Sequence, residues 1–127
     1  MNLTNLTFQN SSTLTAGFSA TQAIWAAGPI ASTNIDLYGG ASFTTYPISF
    51  GTSGSGAPTS SSGDMFGILP GGTGRTVVVP ENYVSGSQLS GSTTYGNTTI
   101  SAMNLTPGTY TYSWGGGAGE SIVLIIG

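Results

Sequence analysis

Five side chains carry formal charge at neutral pH: Asp36, Asp64, Glu81, Glu120 and Arg75. Those residues, with the hydroxyls and amides, are the whole chemical repertoire. With no His, the usual general base near neutral pH is missing. No Cys is present, so disulfides and thiolate metal sites are excluded. Lacking Lys, the chain has neither Schiff-base nor P-loop chemistry. Calcium would require clustered carboxylates, and no Asp-x-Asp spacing supplies them. A glycosidase needs two carboxyl groups about 5–10 Å apart, a separation that scattered single acids do not encode. The four acids therefore read as solvated or capping groups. The expectation is a protein without catalytic residues, metal or cofactor. One Arg cannot displace the counterions of a nucleic acid, and no basic amphipathic stretch exists to hold an anionic membrane. No apolar run approaches the ~18 residues of a membrane-spanning helix.

Three groups of residues offer binding or assembly instead. Tyr110, Tyr112 and Trp114 alternate with Thr109, Thr111 and Ser113, so the three rings share one face of a strand. Exposed, they would be a flat platform for sugar rings; turned inward, they would fill a core that is short of large side chains. Trp25, Tyr38, Tyr46 and Tyr95 leave the same choice open. Five sequons, at Asn2, Asn5, Asn10, Asn97 and Asn104, offer sites for covalent glycans. Three of them fall in the first ten residues, although a chain rich in Asn, Ser and Thr produces sequons by chance. Ser and Thr O-glycosylation is equally open. Leu3, Leu6 and Phe8 stand in a polar arm at 1–12. That pattern suits a strand that joins a sheet, either within its own domain or as a donor strand completing a neighbour's.

The elements that hold these residues are strands. The 127 residues fit one domain. Gly, Ser and Thr together number 58, and only 4% of residues are charged, against about 25% in an ordinary domain. Hydrophobic residues still make 38%, and aromatics 10%, which argues against disorder. No window carries a helical stripe. Short runs of Thr, Val, Ile, Tyr and Phe, cut by Gly, Pro, Asn and Ser, predict strands near 4–9, 13–20, 22–26, 33–38, 42–50, 65–69, 75–79, 92–101, 109–114 and 120–126. The expected fold is all-β, an antiparallel β-sandwich of the Ig-like or jelly-roll-like kind, with roughly 8–10 short strands. A single sandwich domain at 13–127 would carry a flexible Gly/Ser loop at 51–63. Gly71–Gly74 and Gly115–Gly119 read as turns between strands. In the stretch 42–50 the apolar face is Tyr46, Ile48 and Phe50, and Pro47 points to an edge or a bulge. The last strand, Ser121–Ile126, is apolar on both faces, which predicts cover on both sides or a central place in a sheet.

The C-terminal half also carries a resemblance. Val77-Val-Val-Pro-Glu-Asn-Tyr83, Asn97-Thr-Thr-Ile100, Leu105-Thr-Pro-Gly-Thr-Tyr-Thr-Tyr-Ser-Trp-Gly115 and Ser121-Ile-Val-Leu-Ile-Ile126 resemble the β-rich module of PEP-CTERM-type exported bacterial surface proteins. Similar endings occur in phage-type fibre proteins. The chain lacks that family's Pro-Glu-Pro box, membrane segment and basic tail, so its anchoring is not implied. The family is defined by location and not by an activity, so no catalytic residue carries over.

The start of the chain has neither the basic nor the apolar region of a signal peptide, which fits a mature secreted form or a virion protein. Composition and resemblance together predict a structural subunit of an extracellular filament or surface appendage. It would assemble head-to-tail with identical copies by β-strand complementation and stand at the cell surface or, alternatively, on a virion. The competing expectation is a carbohydrate- or receptor-binding module of a surface or phage fibre.

Overall fold

The computed structural model describes residues 1–3, 5–39, 43–52, 55–56, 58–70, 75–114 and 120–127. Strands dominate them; turns and bends fill much of 81–90 and 95–107, and one 3-10 turn lies at Ala20–Gln22. Twelve strands follow in order: β1 (Thr7–Leu14), β2 (Gly17–Ser19), β3 (Ile24–Ala27), β4 (Thr33–Gly39), β5 (Phe43–Thr45), β6 (Ser55–Gly56), β7 (Ser60–Gly63), β8 (Phe66–Pro70), β9 (Arg75–Pro80), β10 (Gly91–Thr94), β11 (Gly108–Trp114) and β12 (Ser121–Ile126). They form a seven-stranded sheet in the order β1-β4-β9-β8-β3-β2-β6, a three-stranded sheet β12-β11-β5 and a ribbon β10-β7. Every ladder is antiparallel. The fold is all-β and sandwich-like, as composition requires.

The large sheet cannot be flat. Only Thr15 and Ala16 separate β1 from β2, and three Cα steps span at most about 11 Å. Yet β1 and β2 lie five ladders apart, roughly 24 Å across a flat sheet at ~4.8 Å per strand. The sheet therefore coils until its ends approach, and β1 and β2 act as one bent strand shared by both ends.

Register fixes which side chains the coil encloses. Val78 stands opposite Leu37 on one side and Gly67 on the other, and Gly67 stands opposite Ala26. That face holds a small cluster of Ala16, Ala26, Ile35, Met65 and Val78, with Leu14, Leu37 and Leu69 at its margin. The other face presents Trp25, Ala27, Phe66, Ile68, Val77 and Val79 to the main core, where they meet Tyr112, Trp114 and Ile122 of the small sheet. Small residues inside the coil follow from its curvature. At Gly67 a Cβ would stand 2.0 Å from the Trp25 carbonyl oxygen and 2.8 Å from Ala26 Cα.

Several expectations need correction. Residue 12, the expected end of the arm, lies inside a single strand, β1, which runs on to Leu14. Part of the Gly/Ser stretch 51–63 is strand: β6 pairs with β2, and β7 pairs with β10. Main-chain hydrogen bonds need no side chain, so a loop-like composition does not prevent a ladder. The expected strands 42–50 and 92–101 shorten to β5 and β10. Gly71–Gly74 and Gly115–Gly119, read as turns, lie outside the described residues. β12 is an edge strand with Val123 and Ile125 47% and 73% exposed, so the two-sided cover its sequence predicts is missing from the subunit.

Replacing Gly67 by Ala should lower stability by about 1–3 kcal/mol or more, because the added methyl meets backbone on the inside of the coil. A urea midpoint equal to that of the unaltered chain would refute the tight coil.

Candidate functional site

β11 brings its three large rings to one face, and that face is the core. Tyr112 and Trp114 are fully buried, and Tyr110 is half-buried against the same cluster. Trp114 Nε1 donates to the Asn2 carbonyl at 3.1 Å, and the Tyr112 hydroxyl donates to the Ala23 carbonyl at 2.5 Å. The Tyr110 hydroxyl donates to the Thr106 carbonyl at 2.7 Å. The rings of Tyr112 and Trp114 have no free face for a sugar, so the platform reading of Tyr110, Tyr112 and Trp114 gives way to packing. Burial pushes the Tyr112 phenol well above its ordinary value. The Arg75 charge and the Trp25 indole, whose N–H makes no well-shaped hydrogen bond, offset only part of that.

The N-terminal segment is seated within its own chain. Leu3 and Leu6 are buried in the main core. The Leu3 amide donates to Ser85 Oγ at 2.9 Å, and the Gly86 amide donates to the Met1 carbonyl at 2.8 Å. β1 pairs with β4 along its length, with a bulge between Phe8 and Asn10. Phe8 is exposed and packs edge-on to Tyr38, with 5.7 Å between ring centres. Residues expected to act in a neighbour are thus used at home. Withdrawing Leu3 and Leu6 would cost about 1.5–3 kcal/mol each.

The sequons differ in what their amides already do. Asn5 Nδ2 donates to Glu120 Oε1, tying that segment to the residue before β12. A glycan on that nitrogen would take one of its two hydrogens and crowd the contact with the buried Glu120 carboxylate. The Asn2 carbonyl is held by Trp114, and the Asn104 carbonyl accepts from the Thr52 amide at 3.1 Å. Asn10 lies exposed on β1, and Asn97 is exposed at a left-handed turn position with φ of 60°.

The carboxylates serve the backbone separately. Asp36 accepts from Ser11 Oγ at 2.7 Å and the Asn82 amide at 3.0 Å; Asp64 accepts from the Ser90 amide at 3.2 Å. Among the described residues no three His, Cys, Asp or Glu side chains gather as a metal site. The Arg75 guanidinium sits 5.1 Å from the centre of the Tyr46 ring.

A groove remains, and sequence reasoning did not find it. It is a cavity of about 370 Å³ with Phe18, Trp25 and Phe66 on its floor, the C-terminal half of β12 on one lip and β10 on the other. Among the described residues β12 and β10 each end their sheets, so each lip there carries a main-chain edge with no partner strand. The outer face of β12 adds the exposed Val123 and Ile125, which stand opposite Thr111 and Thr109 of β11. The lining comes from several distant segments, which no local spacing records. The one signal was the two-sided apolar character of Ser121–Ile126. Chemically, the site offers a hydrophobic trough beside free hydrogen-bonding edges, and it has no acid–base pair.

Comparison with protein-family models, with curated proteins and with solved structures returned no match.

The buried phenol generates a pH test. An unfolded chain releases the Tyr112 proton near pH 10, while the folded one holds it to higher pH. The stabilisation is complete below about pH 10 and is lost as pH rises towards the folded value. Urea midpoints should be level from pH 7 to about 9 and fall above 10. Tyr112→Phe should start about 1 kcal/mol lower, through loss of the hydrogen bond to Ala23, and fall less steeply. Identical alkaline slopes would remove Tyr112 as the cause.

Proposed function

We infer that this chain is a structural subunit of an extracellular filament or surface appendage, built from identical copies joined by strand addition. The observation that carries this reading is β12. It is an uncharged edge strand, apolar on both faces, with Val123 and Ile125 in solvent and an apolar groove along its free edge. Soluble proteins normally blunt such an edge with Lys, Pro, an inward charge or a covering loop. Here none of the residues Ser121–Ile126 is Lys, Pro or charged. A neighbouring copy would supply the cover and complete the ladder.

Strand addition at β12 asks nothing of the N-terminal arm. It replaces the donor role first expected of Leu3, Leu6 and Phe8, two of which already fill their own core. Covalent glycans fit the same surface at Asn10 and Asn97, where they would hydrate a face nearly free of charge. A secreted or virion-borne setting follows from the sequence resemblance and the low charge.

Purified protein should form filaments visible by negative-stain electron microscopy. These should persist to about 1 M NaCl, because main-chain hydrogen bonds and apolar contacts are not screened as exposed ion pairs are. Ile125→Lys should leave monomers with an unchanged urea midpoint, while Val84→Lys, at another exposed apolar residue, should still assemble. A monodisperse monomer from the unaltered chain at high concentration would overturn the reading.

A further inference from the structure

Resting on that reading, we propose that the groove beside β12 receives residues Thr45–Ser49 of a second copy. The lips define the occupant's chemistry. Among the described residues both β12 and β10 have a main-chain edge with no partner strand, so a polypeptide in extended form can satisfy them where an oil-like ligand cannot. No Asp, Glu or Arg side chain lines the groove, so the occupant's inward side chains are apolar.

The chain itself holds one segment of that description. Tyr46 and Ile48 alternate on one face and are 42% and 82% exposed. Their sequence has the period of a strand, yet β5 stops at Thr45 and residues 46–49 belong to no strand of the subunit. Ile48 is the most exposed of the large hydrophobic residues described. Pro47 fits this use. Alternate residues of a strand aim their main-chain groups to opposite sides, so Tyr46 and Ile48 can bond β12 while Pro47, which lacks an N–H, faces the other lip. The same parity sends Tyr46 and Ile48 side chains to the face opposite Pro47, towards the apolar floor.

Topology makes the contact directional. β5 and β12 are the two edges of one three-stranded sheet. A segment leaving β5 in one copy and joining β12 in the next lets the small sheet run from subunit to subunit. Such a contact is heterologous, and a heterologous contact whose rotation does not close gives a helical fibre. No strand must unfold to make it; the Tyr46 ring leaves its own contacts with Phe43 and the Arg75 guanidinium.

The chain has no cysteine, so introduced thiols report without background. The double variant Ile48→Cys/Leu124→Cys places both thiols on the groove-floor face of the contact, where the exposed Ile48 would stand beside the half-buried Leu124 of β12. Adjacent cross-strand positions fall within the Cα separation that a disulfide accepts, about 4.4–6.8 Å. Mild oxidation of the assembled full chain should give a ladder of covalent multimers on a non-reducing gel, collapsing to monomer with reductant. Each single variant should stop at dimer. Filaments from the unaltered chain, with no ladder from the double variant, would overturn this pairing and leave the filament reading standing. A ladder without filaments would uphold the contact and overturn the filament reading; absence of both would overturn both. As a second arm, Ile48→Asp should abolish assembly with an unchanged urea midpoint. Filaments as abundant as those of the unaltered chain would count against the segment.

Discussion

Main-chain hydrogen bonding carries this fold to an unusual degree. With one basic and four acidic residues, ionic contacts contribute little, and Asp36 and Asp64 spend their charge on hydroxyl and amide donors. Asp36 ties β4 to β1 and to the turn at Asn82, and Asp64 ties the link before β8 to the residue before β10. The ladder is what remains, and a ladder has ends. Every open edge leaves amides and carbonyls to water or to another chain. Coiling of the large sheet brings β1 and β2 together at Thr15–Ala16 and so reduces the exposed length of that sheet. The small sheet has no such remedy, since three strands are too few to coil closed.

That contrast explains how the core is distributed. The coil's interior holds Ala16, Ala26 and Val78 beside Ile35 and Met65, with Gly67 required where two backbones nearly touch. The bulky rings gather on the outer face of the coil, between it and the small sheet. Tyr112 and Trp114 fill that layer, and their polar tips find backbone carbonyls on remote segments. A small sheet anchored through its centre by two buried aromatics can afford to leave its margins uncovered. Its β12 margin is where the apolar groove opens.

Much of this was legible in the sequence. Runs of β-branched and aromatic residues located β4, β8, β9, β11 and β12 to within a residue or two, because each has at least one buried face that calls for such side chains. The pattern failed where burial was absent. β1 is exposed at nearly every position, so nothing in Thr7–Leu14 marks its limits. β6 and β7 consist of Ser and Gly, and β7 is held to β10 by its main-chain ladder and by a Ser62–Ser92 hydroxyl contact at 2.9 Å. The candidate site was half legible: β12 announced a need for cover on two faces, while the groove floor of Phe18, Trp25 and Phe66 depends on which strands become neighbours. That is set by the coil, and the coil follows from a two-residue link whose meaning appears only once the ladder order is known.

Low charge, which first looks like a liability for solubility, has a different consequence in a polymer of strands. Subunits joined edge to edge bring their bodies within a strand spacing of about 5 Å at the seam, inside the ~8–10 Å over which salt screens charge at physiological strength. Any like charge on the facing edges would therefore be repeated at every seam. Each would cost of order 1 kcal/mol or more as desolvation lowers the local dielectric. A subunit with ionic edges must match them with opposite charges in register, copy after copy. A subunit whose β12 lip and whose Tyr46–Ile48 segment are both uncharged escapes that constraint, and its addition is decided by shape and by the ladder. The same absence of charge removes the usual guard against unwanted pairing, so specificity must come from geometry. In such a contact Pro47 would supply some of it, since it removes an N–H from one edge of the segment and only the opposite edge keeps its full set of donors.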